Sequence, residues 1–306
     1  MKRREFIGGA LASGLAFGAS ACVPPDQSPA GRLIAQLRII EAQADGTLGV
    51  ELFDTGSRMA IGLNADRRFG HCSSFKFSLA AMVLEQDASG VIDADRVVKW
   101  TDDELMFVSP FSKKRLEQGA TLRELAEFTQ KYSDNTAANM LLRELGGPAA
   151  LTAFWRSIGD QTSRLDRTEP ALNLVPVTEV RDTSTPAAMA RTVAKLVYGD
   201  VLPEAERATL KQWMADTRTG ARRVRAGLPE KWASGDKTGT SMWLGDNRLY
   251  VDIGYVEPPE REPLTFATYL RSRKGEDGIA AEAEAALAKV GEVLATMGEK
   301  QDWFPF

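Results

Sequence analysis

The sequence predicts an α/β (α+β) fold. One antiparallel five-stranded sheet is flanked by the N- and C-terminal helices, and an all-helical lobe sits beside it. Three observations carry this. Segments with strand-like alternation fall near the two ends of the chain, at 48–53 and again beyond residue 232. Helical periodicity fills the middle. Gly-, Pro- and Asp-rich turns separate the two kinds of segment. At 306 residues, 43% hydrophobic and 26% charged, the chain suffices for a well-filled core in one large unit or two smaller ones.

The first 21 residues read as an address. Lys2-Arg3-Arg4-Glu5-Phe6-Ile7 is a basic start, residues 8–18 are weakly apolar, and Ala19-Ser20-Ala21 is a small-residue end. This is a secretory signal pattern, too short to cross a membrane as a mature helix. The paired arginines, with Phe6 two residues on, predict a twin-arginine signal; an ordinary Sec signal is the alternative. Ala19-Ser20-Ala21 fits simple cleavage, and the same stretch ending in Cys22 fits a lipoprotein signal, with Ala19 where leucine is preferred. A lipid anchor at Cys22 therefore stays open. Either route predicts a periplasmic protein. Residues 22–30 follow as a Pro-rich linker.

Leu33, Ile34, Leu37 and Ile40 recur at helical spacing within 29–44. Leu48 to Phe53 alternates as a strand, Asp54-Thr55-Gly56 turns, and 59–63 returns as its hairpin partner. Residues 74–88 and 121–145 read as helices, the second stopped by Gly146-Gly147-Pro148. Residues 149–158 and 186–198 are further helices. Between them, 160–185 is rich in Asp, Thr, Pro and Arg, and reads as a long loop of the kind that usually carries function. A helix after residue 205 leads to strands at 232–241, 247–256 and 263–272, and an Ala-rich helix spans 277–298. Residues 31–65 and 212–306 thus make an α/β lobe, and residues 66–211 an all-α lobe. The lobes meet near 65–72 and 205–215, and a cleft between lobes is a favoured place for a site.

Composition excludes several functions. A net charge of -4 offers no basic face for nucleic acid. One histidine, His71, cannot build a histidine-rich metal site. A Ser-His-Asp triad would have to draw its base from His71, next but one to Ser73, so His71 reads as an incidental loop residue.

Four short motifs occur in order: Ser73-Ser74-Phe75-Lys76, Ser133-Asp134-Asn135, Glu169-Pro170-Ala171-Leu172-Asn173 and Lys237-Thr238-Gly239. A serine hydroxyl attacks only when a neighbour takes its proton. Ser73 lies where a loop enters a helix, and Lys76, three residues on, shares its face. Ser234-Gly235-Asp236-Lys237 matches the same loose pattern, so the spacing alone is weak. Ser133-Asp134-Asn135 places three turn-formers inside a helical stretch, and reads as a short loop or a helix cap. Ser133 suits proton relay to a departing nitrogen, and Asn135 offers a donor and an acceptor to an amide. On the long loop, Glu169 and Asn173 are spaced to hold one water between them. Arg167 and Asp182 pair across its ends, pinning the loop or forming only a surface ion pair of small worth. Lys237 and Thr238 suit a carboxylate, Gly239 lets a ligand lie close to the strand, and Arg223 adds a second positive charge.

With all four motifs in register, roughly residues 30–298 resemble the class A serine β-lactamases. The resemblance implies that Ser73 attacks a lactam carbonyl and forms an acyl-enzyme, with backbone N–H groups of Ser73 and Thr240 as the oxyanion hole. Lys76, or Glu169 through water, would take the serine proton, and Glu169 would drive deacylation. Ser133 would protonate the leaving nitrogen. Lys237, Thr238 and Arg223 would bind the drug carboxylate, Asn135 its side-chain amide. The partners implied are β-lactam antibiotics alone. No cofactor, metal, nucleic acid or obligate protein partner is implied, and the protein is expected to be a monomer. Cys72, Thr240 and Arg223 also resemble the carbapenem-hydrolysing members. The cysteine that pairs with Cys72 there is replaced by Ser241, so that disulfide is absent. Val108 replaces an aromatic beside the cleft, for which Phe107 substitutes.

Two rivals share part of the pattern. A D-Ala-D-Ala peptidase uses the serine and both lysines but lacks the glutamate. A penicillin sensor acylates and stays trapped, and would want a membrane anchor and a signalling partner.

Overall fold

The computed structural model describes residues 28–241, 248–273 and 278–299. The signal segment 1–21, Cys22 and most of the 22–30 linker lie outside the described residues.

Helix α1 (Pro29–Gln43) opens with Ser28 as N-cap and Pro29 in its first turn. Strand β1 (Gly46–Asp54) pairs antiparallel with β2 (Ala60–Leu63), as the hairpin pattern predicts. A two-residue bridge joins β3 (Phe69–Gly70) to β6 (Thr183–Ser184), and another joins β4 (Val97–Val98) to β5 (Ala120–Thr121). The helical lobe runs through α2 (Phe75–Ala88), α3 (Leu122–Tyr132), α4 (Asn135–Glu144), α5 (Gly147–Ser157), α6 (Pro186–Tyr198) and α7 (Glu204–Ala215). Strands β7 (Ala233–Thr240), β8 (Leu249–Glu257) and β9 (Leu264–Ser272) complete the sheet, and α8 (Ala281–Glu299) closes the described chain. Among the described residues the main sheet has five strands in the order β2-β1-β9-β8-β7, all antiparallel. The N-terminal hairpin therefore joins β9, and the motif-bearing β7 is left at the sheet edge facing the helices.

Each face of the sheet has its own core. Leu33 and Leu37 of α1, Leu48 and Val50 of β1, Phe266 of β9 and Leu287 of α8 share one. The other joins Val251 and Tyr269 of the sheet to the helical lobe. Helix α2 is buried at every position from Phe75 to Leu84, so it shows no amphipathic stripe. Each large apolar side chain buried there contributes about 1.5–3 kcal/mol. The helix that carries Ser73 and Lys76 is thus fixed on all sides.

Two elements differ from the sequence pattern. The 121–145 stretch is two helices, broken at Ser133 (φ 60°) and restarted by Asp134, whose carboxylate accepts from Ala137 N–H at 2.8 Å. The loop and cap readings of that motif are both right, because Ser133 ends one helix and Asp134 caps the next. Strand β1 is buried on both faces rather than half-buried, because α6 covers the face opposite α1. That places Glu51 in the interior, 2.6 Å from Arg191 of α6. Burial pushes its carboxyl above the usual range, against the opposing pull of Arg191.

Candidate active site

A cleft of about 710 Å³ opens between β7 and the helical lobe, within the size range of small-molecule sites. Every candidate residue except the two lysines lines it. Lys76 and Lys237 lie fully buried at its base.

Ser73 sits in a 3-10 turn (Cys72–Ser74) that runs into α2. Lys76 Nζ donates to Ser73 Oγ at 2.9 Å, to Ser133 O at 3.0 Å and to Asn135 Oδ1 at 2.5 Å, and lies 3.0 Å from Glu169 Oε1. Ser73 Oγ in turn donates to Glu169 Oε1 at 3.3 Å. The i, i+3 spacing on one helix turn brings serine and lysine together. The left-handed break at Ser133 brings the second motif onto the same lysine. Gly239 packs so tightly here that an added Cβ would fall 2.9 Å from Ser73 N. Only glycine lets β7 approach the nucleophile this closely.

Lys237 Nζ donates to Ser133 Oγ at 3.1 Å and to Thr238 O at 2.8 Å. Burial, then the neighbouring Lys76 charge, holds its ammonium well below the usual lysine range, and Asp236 opposes the shift. Thr238 Oγ1 donates to Thr219 Oγ1 at 2.6 Å. Arg223 is buried, and its guanidinium donates to Gly239 O, Val251 O and Thr240 Oγ1 at 2.9, 2.7 and 2.6 Å. It braces β7 and presents Thr240, a role the sequence did not reveal.

Glu169 is held at both ends. Its backbone N–H donates to Asn139 Oδ1 at 3.0 Å, and Asn139 Nδ2 donates to its carbonyl at 3.0 Å. Asn173 Nδ2 donates to Glu169 Oε2 at 2.6 Å. The two side chains thus touch directly instead of facing each other across a gap. Asn173 Oδ1 is buried and has no partner among the described residues. The Arg167–Asp182 contact is no surface pair. Asp182 is fully buried, and its carboxylate accepts from Arg167 Nε at 2.5 Å and from the N–H groups of Asp166 and Arg167 at 2.7 and 2.9 Å. Its carbonyl accepts from His71 N–H at 2.9 Å, which ties the loop to the turn before Ser73.

Sequence reasoning missed four supporting residues. Asn139 lies one helical turn beyond Asn135 on α4, and that i, i+4 spacing was the available signal. Asp134 accepts from Phe111 N, Ser112 N and Ser112 Oγ, and so fixes the loop that carries Phe107 and Val108. Gln130 Nε2 donates to Asp236 O at 2.8 Å, anchoring β7 to α3. Glu284, on α8, reaches the cleft and lies 2.6 Å from Arg222. Nothing in the local sequence marks the last two.

The residues around the departures are also placed. Cys72 is buried and unpaired among the described residues, and burial pushes its thiol up to about 12. Phe107 and Val108 are both exposed at the cleft rim, and Asn135 Nδ2 donates to Phe107 O at 2.6 Å.

His71 lies in the connection between β3 and the 3-10 turn, as the loop reading expects, but that connection is buried. It is fully buried and stacks on Trp155 with centroids 4.9 Å apart. Burial lowers its pKa to about 4, even though Asp160 and Asp182 pull the other way. The unfolded chain takes up a proton near pH 6.5 that the fold refuses until about pH 4. Folding stability is therefore expected to fall through that window, by roughly 3 kcal/mol in all. His71→Phe should flatten the curve of denaturant midpoint against pH between 7 and 4. Parallel curves for the two proteins would remove His71 as the cause.

The chain is similar to known proteins along most of its length. The β-lactamase enzyme family matches residues 32–296. β-Lactamase OXY-2 of Klebsiella oxytoca is 42% identical over 255 residues, covering 83% of this chain and 87% of that protein. A β-lactamase of Amycolatopsis lactamdurans is 40% identical over 276 residues, covering 90% and 87%. Among solved structures, an ancestral (GNCA) class A β-lactamase matches with a TM-score of 0.82 at 43% identity, covering 87% of this chain and 99% of that one.

Proposed function

Because the chain belongs to the β-lactamase enzyme family, as a class A serine β-lactamase, we propose that it hydrolyses the lactam amide of penicillins and cephalosporins, with carbapenems within its range, through an acyl-enzyme on Ser73. The enzyme is a hydrolase of the β-lactamase type. The observation that carries the mechanism is the position of Glu169 Oε1, 3.3 Å from Ser73 Oγ. Any acyl group carried on that oxygen lies within reach of a water that Glu169 deprotonates.

In acylation, Ser73 Oγ attacks the lactam carbonyl. Lys76 donates to that oxygen while the oxygen donates to Glu169, an arrangement that favours Glu169 as the group receiving the serine proton. The backbone N–H groups of Ser73 and Thr240 stabilise the oxyanion. Ser133, between Lys76 and Lys237, passes its proton to the departing nitrogen as the C–N bond breaks, and the proton taken by Glu169 returns through Lys76 to Ser133, so that Glu169 is again a carboxylate before deacylation. Lys237 and Thr238 bind the ring carboxylate, while Arg223 supports them through Thr240. Asn135 receives the side-chain amide.

In deacylation, a water held by Glu169 and by the spare acceptor of Asn173 loses its proton to Glu169 and attacks the ester. The Ser73 C–O bond breaks and the serine recovers a proton. Glu169, clamped by Asn139 and Asn173, separates this reading from the peptidase and the trapped sensor. Repeated turnover of a chromogenic cephalosporin by the pure protein tests it, and one equivalent of product followed by silence would favour the rivals.

We also propose export to the periplasm through the 1–21 signal, action there as a monomer in antibiotic resistance, and tethering by lipid at Cys22. Cys22→Ala is expected to shift the protein from the membrane to the soluble fraction. An unchanged distribution would exclude the tether.

A further inference from the structure

Charge is distributed unevenly along the cleft. Where Asn135, Asn173, Pro170 and Phe107 line it, no cationic side chain does among the described residues. At the other end, Arg218, Arg222 and Arg223 all line it beside Thr238 and Thr240. Among the described residues the only carboxylate lining that end is Glu284, which lies 2.6 Å from Arg222 and 3.5 Å from Arg223. Of the other nearby cations, Arg225 is matched by Asp236 at 2.6 Å and Lys131 by Glu127 and Asp216 at 3.0 and 3.2 Å, while Lys237 is buried on Ser133 Oγ and Thr238 O. Arg218 is different. Its backbone N–H donates to Lys131 O at 3.0 Å, and among the described residues its guanidinium makes no ion pair.

The position of this surplus matters. Thr219, next to Arg218, accepts the hydroxyl hydrogen bond of Thr238. The unmatched cation thus begins one residue from the group that meets the ring carboxylate. With the ring carboxylate on Thr238 and the acyl side-chain amide on Asn135, as proposed above, a substituent on the ring carbon beside that carboxylate would lie at the end lined by Arg218 and Arg222. Both arginines are exposed, so their fields are screened by salt yet reach a few ångströms at full effect.

We propose that Arg218 and Arg222 form a second anion subsite at the ring-side mouth of the cleft, so that the enzyme favours β-lactams with a second negative charge beside the ring carboxylate over those with a positive one there. This deepens, and rests on, the hydrolase reading above. Glu284 tempers the subsite by sharing one carboxylate between Arg222 and Arg223.

The test uses three cephalosporins that share one acyl side chain and differ at that ring carbon: a carboxylate-bearing, a neutral and a pyridinium-bearing substituent. Intrinsic reactivity differs among them, so the readout is the change in their kcat/KM ratios between proteins and salt concentrations. In Arg218→Glu the anionic-to-cationic ratio is expected to fall by about threefold to tenfold, with Arg218→Gln intermediate. In the unmodified enzyme the ratio is expected to shrink on going to about 1 M salt. A ratio unchanged by Arg218→Glu, or indifferent to salt, overturns the subsite while leaving the hydrolase intact. No turnover of any of the three overturns the hydrolase reading, and the subsite with it.

Discussion

Glu169→Ala is expected to stop the enzyme after a single turnover, with the opened lactam left as an ester on Ser73. Positioned general bases contribute about 10²–10⁴-fold, and deacylation should slow by that order. Mass spectrometry of the intact protein would show the added mass, and peptide mapping would place it on Ser73. The same substitution removes the partner of a fully buried lysine. Losing one half of a buried pair can cost roughly 3–5 kcal/mol. Here the cost should be smaller, because Lys76 keeps acceptors on Ser73, Ser133 and Asn135. Glu169→Gln keeps the shape and serves as the companion variant. The rate at which the ester forms then decides the acylation base. Acylation slowed along with deacylation assigns the serine proton to Glu169, and acylation at the original rate assigns it to Lys76. Undiminished steady-state turnover in both variants would remove Glu169 from the mechanism.

Asp182→Ala should be the most damaging change away from the reacting atoms. The side chain is fully buried and joins both ends of the loop that carries Glu169. Removal strands Arg167 and leaves two backbone N–H groups without their acceptor, for a cost of roughly 3–5 kcal/mol. The backbone at Asp182 has φ 56°, a region asparagine also tolerates. Asp182→Asn should therefore lose the charge but keep the turn and most of the hydrogen bonds, and fall between the two. Thermal denaturation and deacylation should worsen together, because the same tie holds the fold and places the base. An alanine variant with an unchanged Tm and unchanged turnover would show that the loop is held elsewhere.

The fold was largely legible because strand and helix periods are local properties. The β1–β2 hairpin, the three C-terminal strands and the helices at 29–43 and 186–198 follow from alternation, spacing and turn residues. The burial of both faces of β1 was not legible, since a strand does not record what a helix 130 residues later lays upon it. The burial of His71 was hidden for the same reason: a histidine in a connection does not record the Trp155 that stacks on it. Which of the two readings of Arg167 and Asp182 holds was also hidden, because an Arg and an Asp near loop ends read alike whether exposed or buried.

The sequence alone determined the chemical inventory and its order: a serine with a lysine one turn on, a glutamate on a long loop, and a lysine-threonine-glycine strand. Those depend on residue identity and short spacing, which the chain carries explicitly. Tertiary structure decided which atoms meet. It put Glu169 against Ser73 across 96 residues of chain, made Arg223 a brace for Thr240 on the cleft wall, and left Arg218 without a carboxylate among the described residues. Distances between remote segments, and the burial that follows from them, arise only when the sheet and the helical lobe close on each other.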